Sequence, residues 1–426
     1  MTLLPVEKMR RDGQPEEAVA AFGALYEQLK AGASGTLPDA ELEPVRDLPE
    51  LAALPLADAS ELLARACVIK LNGGLGTSMG VTGAKALLEA REGLSFLAII
   101  ARQVSALRTR HGVRLPLVLM HSFRTRAASL EALSALPEVY DFLQHRVPKL
   151  RADDLTAVSW PSDPALEWCP PGHGDLYNAL RSSGTLARLL AEGIRYAFVS
   201  NADNLGAILD PRILAWFAQT GAPFAMETVI GTESDRKGGH IARRDGRLIV
   251  RETAQAGPGD SFTDFRRWRY YNTNNLWLDL EALARLQGPV HLPLIVNRKT
   301  VDPADPGSIP VIQTETAMSA ALGVFEGAVA LCVPRSRFVP VKTTDDLLLL
   351  RSDVFRLRED GIVEAVVDVL PFVALDPAYF RKVADFEARF PHGPVSLRDV
   401  SRFEVKGDVT FDSQNRDRVS AAAPQS

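Results

Sequence analysis

The sequence predicts an α/β fold, with a mostly parallel central sheet flanked by helices and an antiparallel extension. Three observations predict it. Leu115–Met120 is a continuous apolar run, and with the short, largely apolar segments Cys67–Leu71 and Tyr196–Ser200 it reads as a set of buried strands. Segments with helical character separate them, the alternation expected of a doubly wound sheet. After Pro223 the pattern changes. Phe224–Ile230, Leu248–Thr253 and Trp268–Trp277 are strand-like, with glycine and charged turns between them.

Taken in order, residues 1–66 read as a helical segment. Glu16–Lys30 carries apolar residues at helical spacing and stops at Gly32. Pro38–Pro55 is loop-rich. Asp58 and Glu61 read as a cap and its partner, opening a short helix to Ala66. The strand Cys67–Leu71 then feeds a glycine loop. Helices are expected at Leu94–Arg108, Ala127–Leu136 and Leu176–Glu192, and later around Thr344–Leu357 and Asp376–Arg389. The last stretch, Ala421–Ser426, is expected to fray.

Composition excludes several classes. At 426 residues, 46% hydrophobic and 24% charged, the chain is neither fibrous, nor a disulfide scaffold, nor largely disordered. A net charge of −5 gives no global basic balance, so nucleic acid is not an expected partner. Cys67, Cys169 and Cys332 form no CxxC pair and the seven histidines form no HxxxH array, so a zinc site is not expected. No apolar run approaches the roughly 20 residues of a membrane helix, and no leader-like segment opens the chain. The expectation is a cytoplasmic protein with no membrane partner. Only ten of the 48 basic residues are lysine, so a lysine inside a glycine-rich motif draws notice.

The strongest such motif runs from Lys70 to Lys85, KLNGGLGTSMGVTGAK. Five glycines follow a strand and end at a lysine. Glycines let backbone N–H groups approach an anion closely and turn at positive φ. The alternative is a surface turn, which so long a glycine run makes costly to order. The spacing matches neither GxGxxG nor a Walker A loop. Lys85 should reach phosphates as a point charge.

Four further constellations stand out. Pro170–Asp175 (PPGHGD) frames His173 with glycines, either for ligand contact or as a helix-entry turn capped by Asp175. Val199–Gly206 (VSNADNLG) is a strand running out into polar residues. Ligands bind at that carboxyl end, and Asp203 there suits Mg²⁺ bridging phosphates, although an Asx turn is the plainer reading. Tyr271–Trp277 (YNTNNLW) places three amides in four positions, a set that suits sugar hydroxyls. Val333–Asp346 holds Lys342 just before a Thr/Asp helix start, either aimed at phosphate or simply solvated beside a capped helix.

Together these motifs resemble the UTP–glucose-1-phosphate uridylyltransferase (UDP-glucose pyrophosphorylase) family of the eukaryotic-like type. The matching stretches are KLNGGLGTSMG, PPGHGDLY, FVSNADNLG, KGGH, YNTNNLW, IVNRKT and VPRSRFVPVKTTDDLL, in the family's order over roughly residues 60–350. The resemblance implies a GT-A-like, Rossmann-related nucleotidyltransferase fold and a Mg²⁺-dependent reaction. It implies nucleotide contacts at Leu71, Asn72, Gly73, Gly74, Lys85, Gln144, Gly172, Asp203 and Lys342. His173, Asn201, Ala202, Glu252, Asn272 and Asn274 would meet the sugar phosphate, Asp203 the metal, and Lys342 and Lys85 the chemical step. In LQHRVPK the Gln144 match is short. Where the family has GPK, Gly83-Ala84-Lys85 stands here, and the chain stops soon after Lys406–Phe411, where eukaryotic members continue into a β-helix used for assembly.

The resulting expectation is an enzyme of three regions. Residues 1–66 form an N-terminal helical segment, 67–343 a catalytic domain and 344–426 a C-terminal region without the full β-helix. Its substrates would be UTP and glucose 1-phosphate, its products UDP-glucose and pyrophosphate, and its state a monomer or small homo-oligomer. A relative acting on another sugar 1-phosphate and a non-catalytic UDP-sugar-binding protein are the alternatives. The retention of Lys85, Asp203 and Lys342 weighs against the second.

Overall fold

In the computed structural model, residues 4–33, 35–56, 59–81 and 83–412 are described. The expected cap at Asp58 and the expected frayed end Ala421–Ser426 lie outside them. The fold is α/β, with a mostly parallel central sheet flanked by helices and antiparallel strands added to it. The chain divides into two compact units. One comprises residues 1–69, 141–199 and 211–333, the other 70–140, 200–210 and 334–426.

In the first unit, Phe224–Ile230 and Tyr196–Asn201 both pair antiparallel with Tyr270–Asp279, and Val329–Cys332 runs parallel to Phe224–Ile230. Tyr270–Asp279 also meets the hairpin of His240–Arg244 and Arg247–Arg251. That hairpin turns on Asp245 (φ +50°) and Gly246 (φ +77°), the Asp-Gly pair that a two-residue turn with two positive φ angles favours. The helix Glu16–Lys30 forms over the expected residues and lays Val19, Phe22 and Tyr26 against Val147, Leu150 and Ile312. Its support is a three-stranded sheet of Ile295–Thr300, Pro310–Glu315 and Leu150–Arg151.

In the second unit, the carboxyl end of Ala66–Asn72 lies between the end of Tyr196–Asn201 and the strand Leu117–His121. All residues of Ala66–Asn72 and Leu117–His121 are buried, which is why their sequences read as largely apolar runs, with Lys70, Asn72 and His121 buried among them. The helix Phe96–His111 starts one residue after Ser95, whose Oγ accepts from the Ala98 N–H, and ends at Gly112 in the left-handed conformation.

Several element boundaries differ from expectation. The single helix expected over Leu176–Glu192 is two, Leu176–Ser182 and Thr185–Ala191, because Gly184 takes φ +77° between them. The helix begun at Thr344 ends at Arg351, and Phe355–Leu357 instead pairs with Val363–Ala365. Asp376–Arg389 is likewise two helices, Pro377–Phe380 and Val383–Arg389. Among the described residues no helix is long and apolar enough to cross a membrane.

Candidate active site

The glycine loop belongs to the second unit. Asn72 ends its strand with the side chain turned inward, donating through Nδ2 to Ser129 Oγ at 2.8 Å and lying 3.3 Å from His121 Nδ1. Leu71 is also spoken for in part, its carbonyl accepting from the Ala202 N–H. Beyond them the loop folds on itself. Gly76 and Gly80 have positive φ, and the Lys85 N–H donates to the Gly74 carbonyl at 3.1 Å. A Cβ placed on Gly74 or Gly83 would meet nothing within 4 Å, so these glycines leave open space rather than fill a tight contact.

Lys85 reaches across to the end of another strand. Its Nζ donates to Asp203 Oδ2 at 2.6 Å, and both side chains are largely buried. Asp203 Oδ1 is buried with no hydrogen-bond partner. An unpartnered carboxylate oxygen is costly in a protein interior. It fits a hard divalent cation that takes most of its other oxygens from phosphates and water. Among the described residues no group of three or more His, Cys, Asp or Glu side chains is arranged to hold a metal, so such an ion would depend on substrate oxygens.

The segment carrying Lys342 is bolted to the same strand end. The Val341 N–H donates to the Asp203 carbonyl at 3.1 Å. Asn204, buried, accepts from the Val339 N–H at 2.9 Å and donates to the Arg337 carbonyl at 3.1 Å. A Cβ on Gly206 would lie 2.3 Å from the Ser336 carbonyl, so only glycine permits that approach. Lys342 itself is exposed, and its backbone N–H donates to Asp346 Oδ2. Thr343 and Asp346 form a reciprocal capping box, and Lys342 sits just before it. Asn201 ends its strand partly exposed and Ala202 is buried, beside Asp203.

Lys70, in contrast, is a structural lysine. It is buried and donates to Ser200 Oγ and the Ala207 carbonyl, each at 2.7 Å. Neither Lys70 nor Asn204 stood out as a positioning residue in the sequence, although both lie inside the motifs.

In the first unit, His173 Nδ1 accepts from the Met318 N–H at 3.0 Å, which leaves the proton of the neutral ring on Nε2. The glycines around it serve packing more than ligand access. A Cβ on Gly172 (φ +81°) would lie 2.4 Å from the Thr316 carbonyl, and one on Gly174 would lie 2.3 Å from Thr316 Oγ1. Asp175 is not the side-chain cap of the following helix. Its carboxylate instead takes the His145 backbone N–H and ring Nδ1, both at 2.7 Å. That contact anchors the segment carrying half-buried Gln144.

Glu252, Asn272 and Asn274 come together in the same unit. Asn272 Nδ2 donates to Asn274 Oδ1 at 3.0 Å and to Glu252 Oε1 at 3.3 Å. Ser319 Oγ donates to Glu252 Oε1, so the neighbours Met318 and Ser319 tie His173 and Glu252 to one short segment. Gly239 of KGGH lies so close that its Cβ would meet Glu252 Oε2 at 2.6 Å. Ser319 carried no signal in the sequence.

The family model described as UTP–glucose-1-phosphate uridylyltransferase matches residues 21–416. The enzyme of that name from Saccharomyces cerevisiae is 40% identical over 358 residues, covering 82% of this chain and 71% of its own. That from Solanum tuberosum is 39% identical over 371 residues, covering 84% and 76%. Among solved structures, a UDP-glucose pyrophosphorylase from Leishmania major is similar with a TM-score of 0.91 and 41% identity, covering 95% of this chain and 91% of its own. A Leishmania major variant crystallised with UDP-glucose has a TM-score of 0.90 at the same identity and coverage. The sequence match therefore takes in both units, and the motifs it aligns with include the strand ends, the glycine loop and the amide cluster whose geometry has just been described: the chain belongs to the UTP–glucose-1-phosphate uridylyltransferase family.

Proposed function

We propose that this chain transfers the uridylyl group of UTP to glucose 1-phosphate, forming UDP-glucose and releasing pyrophosphate. A phosphate oxygen of the sugar attacks the α-phosphorus of UTP in line, and the bond to the pyrophosphate oxygen breaks. The nucleophile is already anionic, so the protein's task is to position the substrates and stabilise charge.

The observation that carries this reading is the Lys85–Asp203 pair beside the glycine loop, with one Asp203 oxygen left without a partner. Asp203 would hold Mg²⁺, which supplies charge neutralisation on the phosphates when bound. Lys85 neutralises phosphate oxygens presented to the loop around Gly73 and Gly74, and Lys342 stabilises charge growing on the transferring group. Leu71, Asn72, Gly172 and Gln144 serve the nucleotide, Gln144 reading the base. His173 donates from Nε2 to the sugar phosphate. Asn201, Ala202, Glu252, Asn272 and Asn274 meet the sugar. We place the protein in the cytoplasm as a monomer or small homo-oligomer, a size that light scattering reads directly.

The decisive assay is pyrophosphate release with Mg²⁺ across a panel of nucleoside triphosphates and sugar 1-phosphates. Release is expected only when UTP and glucose 1-phosphate are both present. Turnover with another hexose 1-phosphate alone would change the sugar, and no turnover with any would remove the catalytic reading.

A further inference from the structure

The strand Tyr270–Asp279 does not run evenly past Phe224–Ile230. Glu227 faces Asn275, and the next residue, Thr228, faces Asn272, so Thr273 and Asn274 are extra residues on one side of the ladder. Irregularities of this kind re-aim side chains and recur beside functional sites. Asn274 within it has φ +56°, which asparagine tolerates better than most residues but still at a cost.

Glu227 holds this irregularity in place. It is a fully buried acid in the run FAMETVI, whose one other polar residue is Thr228. Its Oε2 accepts from Asn275 Nδ2 at 3.1 Å and its Oε1 from Trp277 Nε1 at 3.0 Å. Its backbone carbonyl accepts from Thr273 Oγ1 at 2.6 Å, and that hydroxyl in turn accepts from the Asn275 N–H. Three residues within and after the irregularity are thus fastened to one residue of the neighbouring strand. A buried network of this kind, fully satisfied, admits few other arrangements.

We propose that Glu227 is a positioning residue for sugar recognition. Through Thr273, Asn275 and Trp277 it fixes the backbone that presents Asn272 and Asn274 to Glu252. It has no exposed surface, so it acts through its neighbours. This inference rests on the uridylyl-transfer reading above.

The test uses the full chain. Glu227→Gln keeps the volume but turns an amide donor toward Asn275 Nδ2 or Trp277 Nε1. KM for glucose 1-phosphate is expected to rise roughly tenfold, the scale of one hydrogen bond to a charged group, with KM for UTP unchanged. Adding Asn275→Asp exchanges donor and acceptor across the same contact and should restore KM. A purely structural role would lower the active fraction, and so kcat, while leaving both KM values alone. An unchanged KM for glucose 1-phosphate in Glu227→Gln, or no recovery in the double variant, overturns the inference. If the single variant cannot be purified, the double variant decides: a folded protein with normal KM supports the network, and any other result overturns it. Wild-type protein that fails to turn over UTP and glucose 1-phosphate removes the catalytic reading and this inference with it. An active wild type with an unaffected variant removes this inference alone.

Discussion

Lys85 Nζ lies 2.6 Å from Asp203 Oδ2 while the other oxygen of the same carboxylate has no hydrogen-bond partner. One oxygen is thus held by an ammonium while the other has no partner, as the proposed metal role requires. A divalent ion on Oδ1 would draw charge from the carboxylate and weaken its hold on Lys85. The lysine would then be available to phosphates at the loop it closes.

Asp203→Asn should expose this division of labour. The amide still accepts from Lys85, so the melting temperature should change little. Turnover should fall by about 10²–10³ or more, the scale of losing a preorganised charge contact. Near-normal activity at saturating Mg²⁺, measured by pyrophosphate release, would reassign the metal ligand.

Lys342→Ala should lower kcat by about 10²–10³. The capping box of Thr343 and Asp346 does not use the lysine side chain, so thermal stability should hold. Arginine should not restore the rate fully, because a planar fork does not replace a compact ammonium. A rise confined to KM for UTP would make the role one of uniform binding instead. Lys85→Ala, in contrast, should raise KM for UTP as well as lower kcat.

Two glycines should behave oppositely. Gly172→Ala forces a Cβ against the Thr316 carbonyl at a positive φ, and should cost about 1–3 kcal/mol of stability, read from chemical denaturation. Gly74→Ala meets nothing within 4 Å and should melt like the wild type. Its effect should appear as a raised KM for UTP, because the added methyl occupies the space a nucleotide would approach. Equal melting losses in both would refute the distinction.

His240 sets a pH dependence. Burial, and then the Arg251 charge, push its ring down to about 3 from the ordinary 6.5. The folded state keeps it neutral while the unfolded chain takes up a proton below about 6.5. Stability should therefore fall as pH drops from about 6.5 toward 3, by up to about 1.4 kcal/mol per pH unit for this one group. His240→Phe preserves the ring against Trp268 and should flatten that part of the curve. An unchanged slope in pH-dependent melting would place the acid sensitivity elsewhere.

Much of the site was legible because its motifs join regular elements to irregular ones. VSNADNLG could be read as a strand running out into polar residues, and Tyr196–Asn201 ends there with Asp203 just beyond it. The glycine run could be read as an open loop after a strand, but nothing in PPGHGD shows that Gly172 and Gly174 answer to Thr316, 142 or more residues away in sequence. Asp175 looked like a helix cap because its local sequence supports one, but a distant partner, His145, took its carboxylate. The helix ends at Ser182 and Arg351 escape the sequence for a related reason. Single residues such as Gly184 outweigh helical propensity, and a strand partner such as Val363–Ala365 is invisible to periodicity. The one available signal for Glu227 was a lone acid in an apolar strand.

The interleaving of the two units along the chain sets when each can be completed during synthesis. Residues 70–140 cannot complete their unit until the segment beginning at 334 exists, since Asn204 and Gly206 are packed against Arg337 and Ser336. At ribosomal speeds of about 5–20 residues per second, the early segment waits roughly 10–40 s for its late partner. During that interval the helix Phe96–His111 lacks its packing of Ile99 and Gln103 against Gly361, so a nascent chain stalled before residue 334 should be the species that chaperones hold and proteases cut.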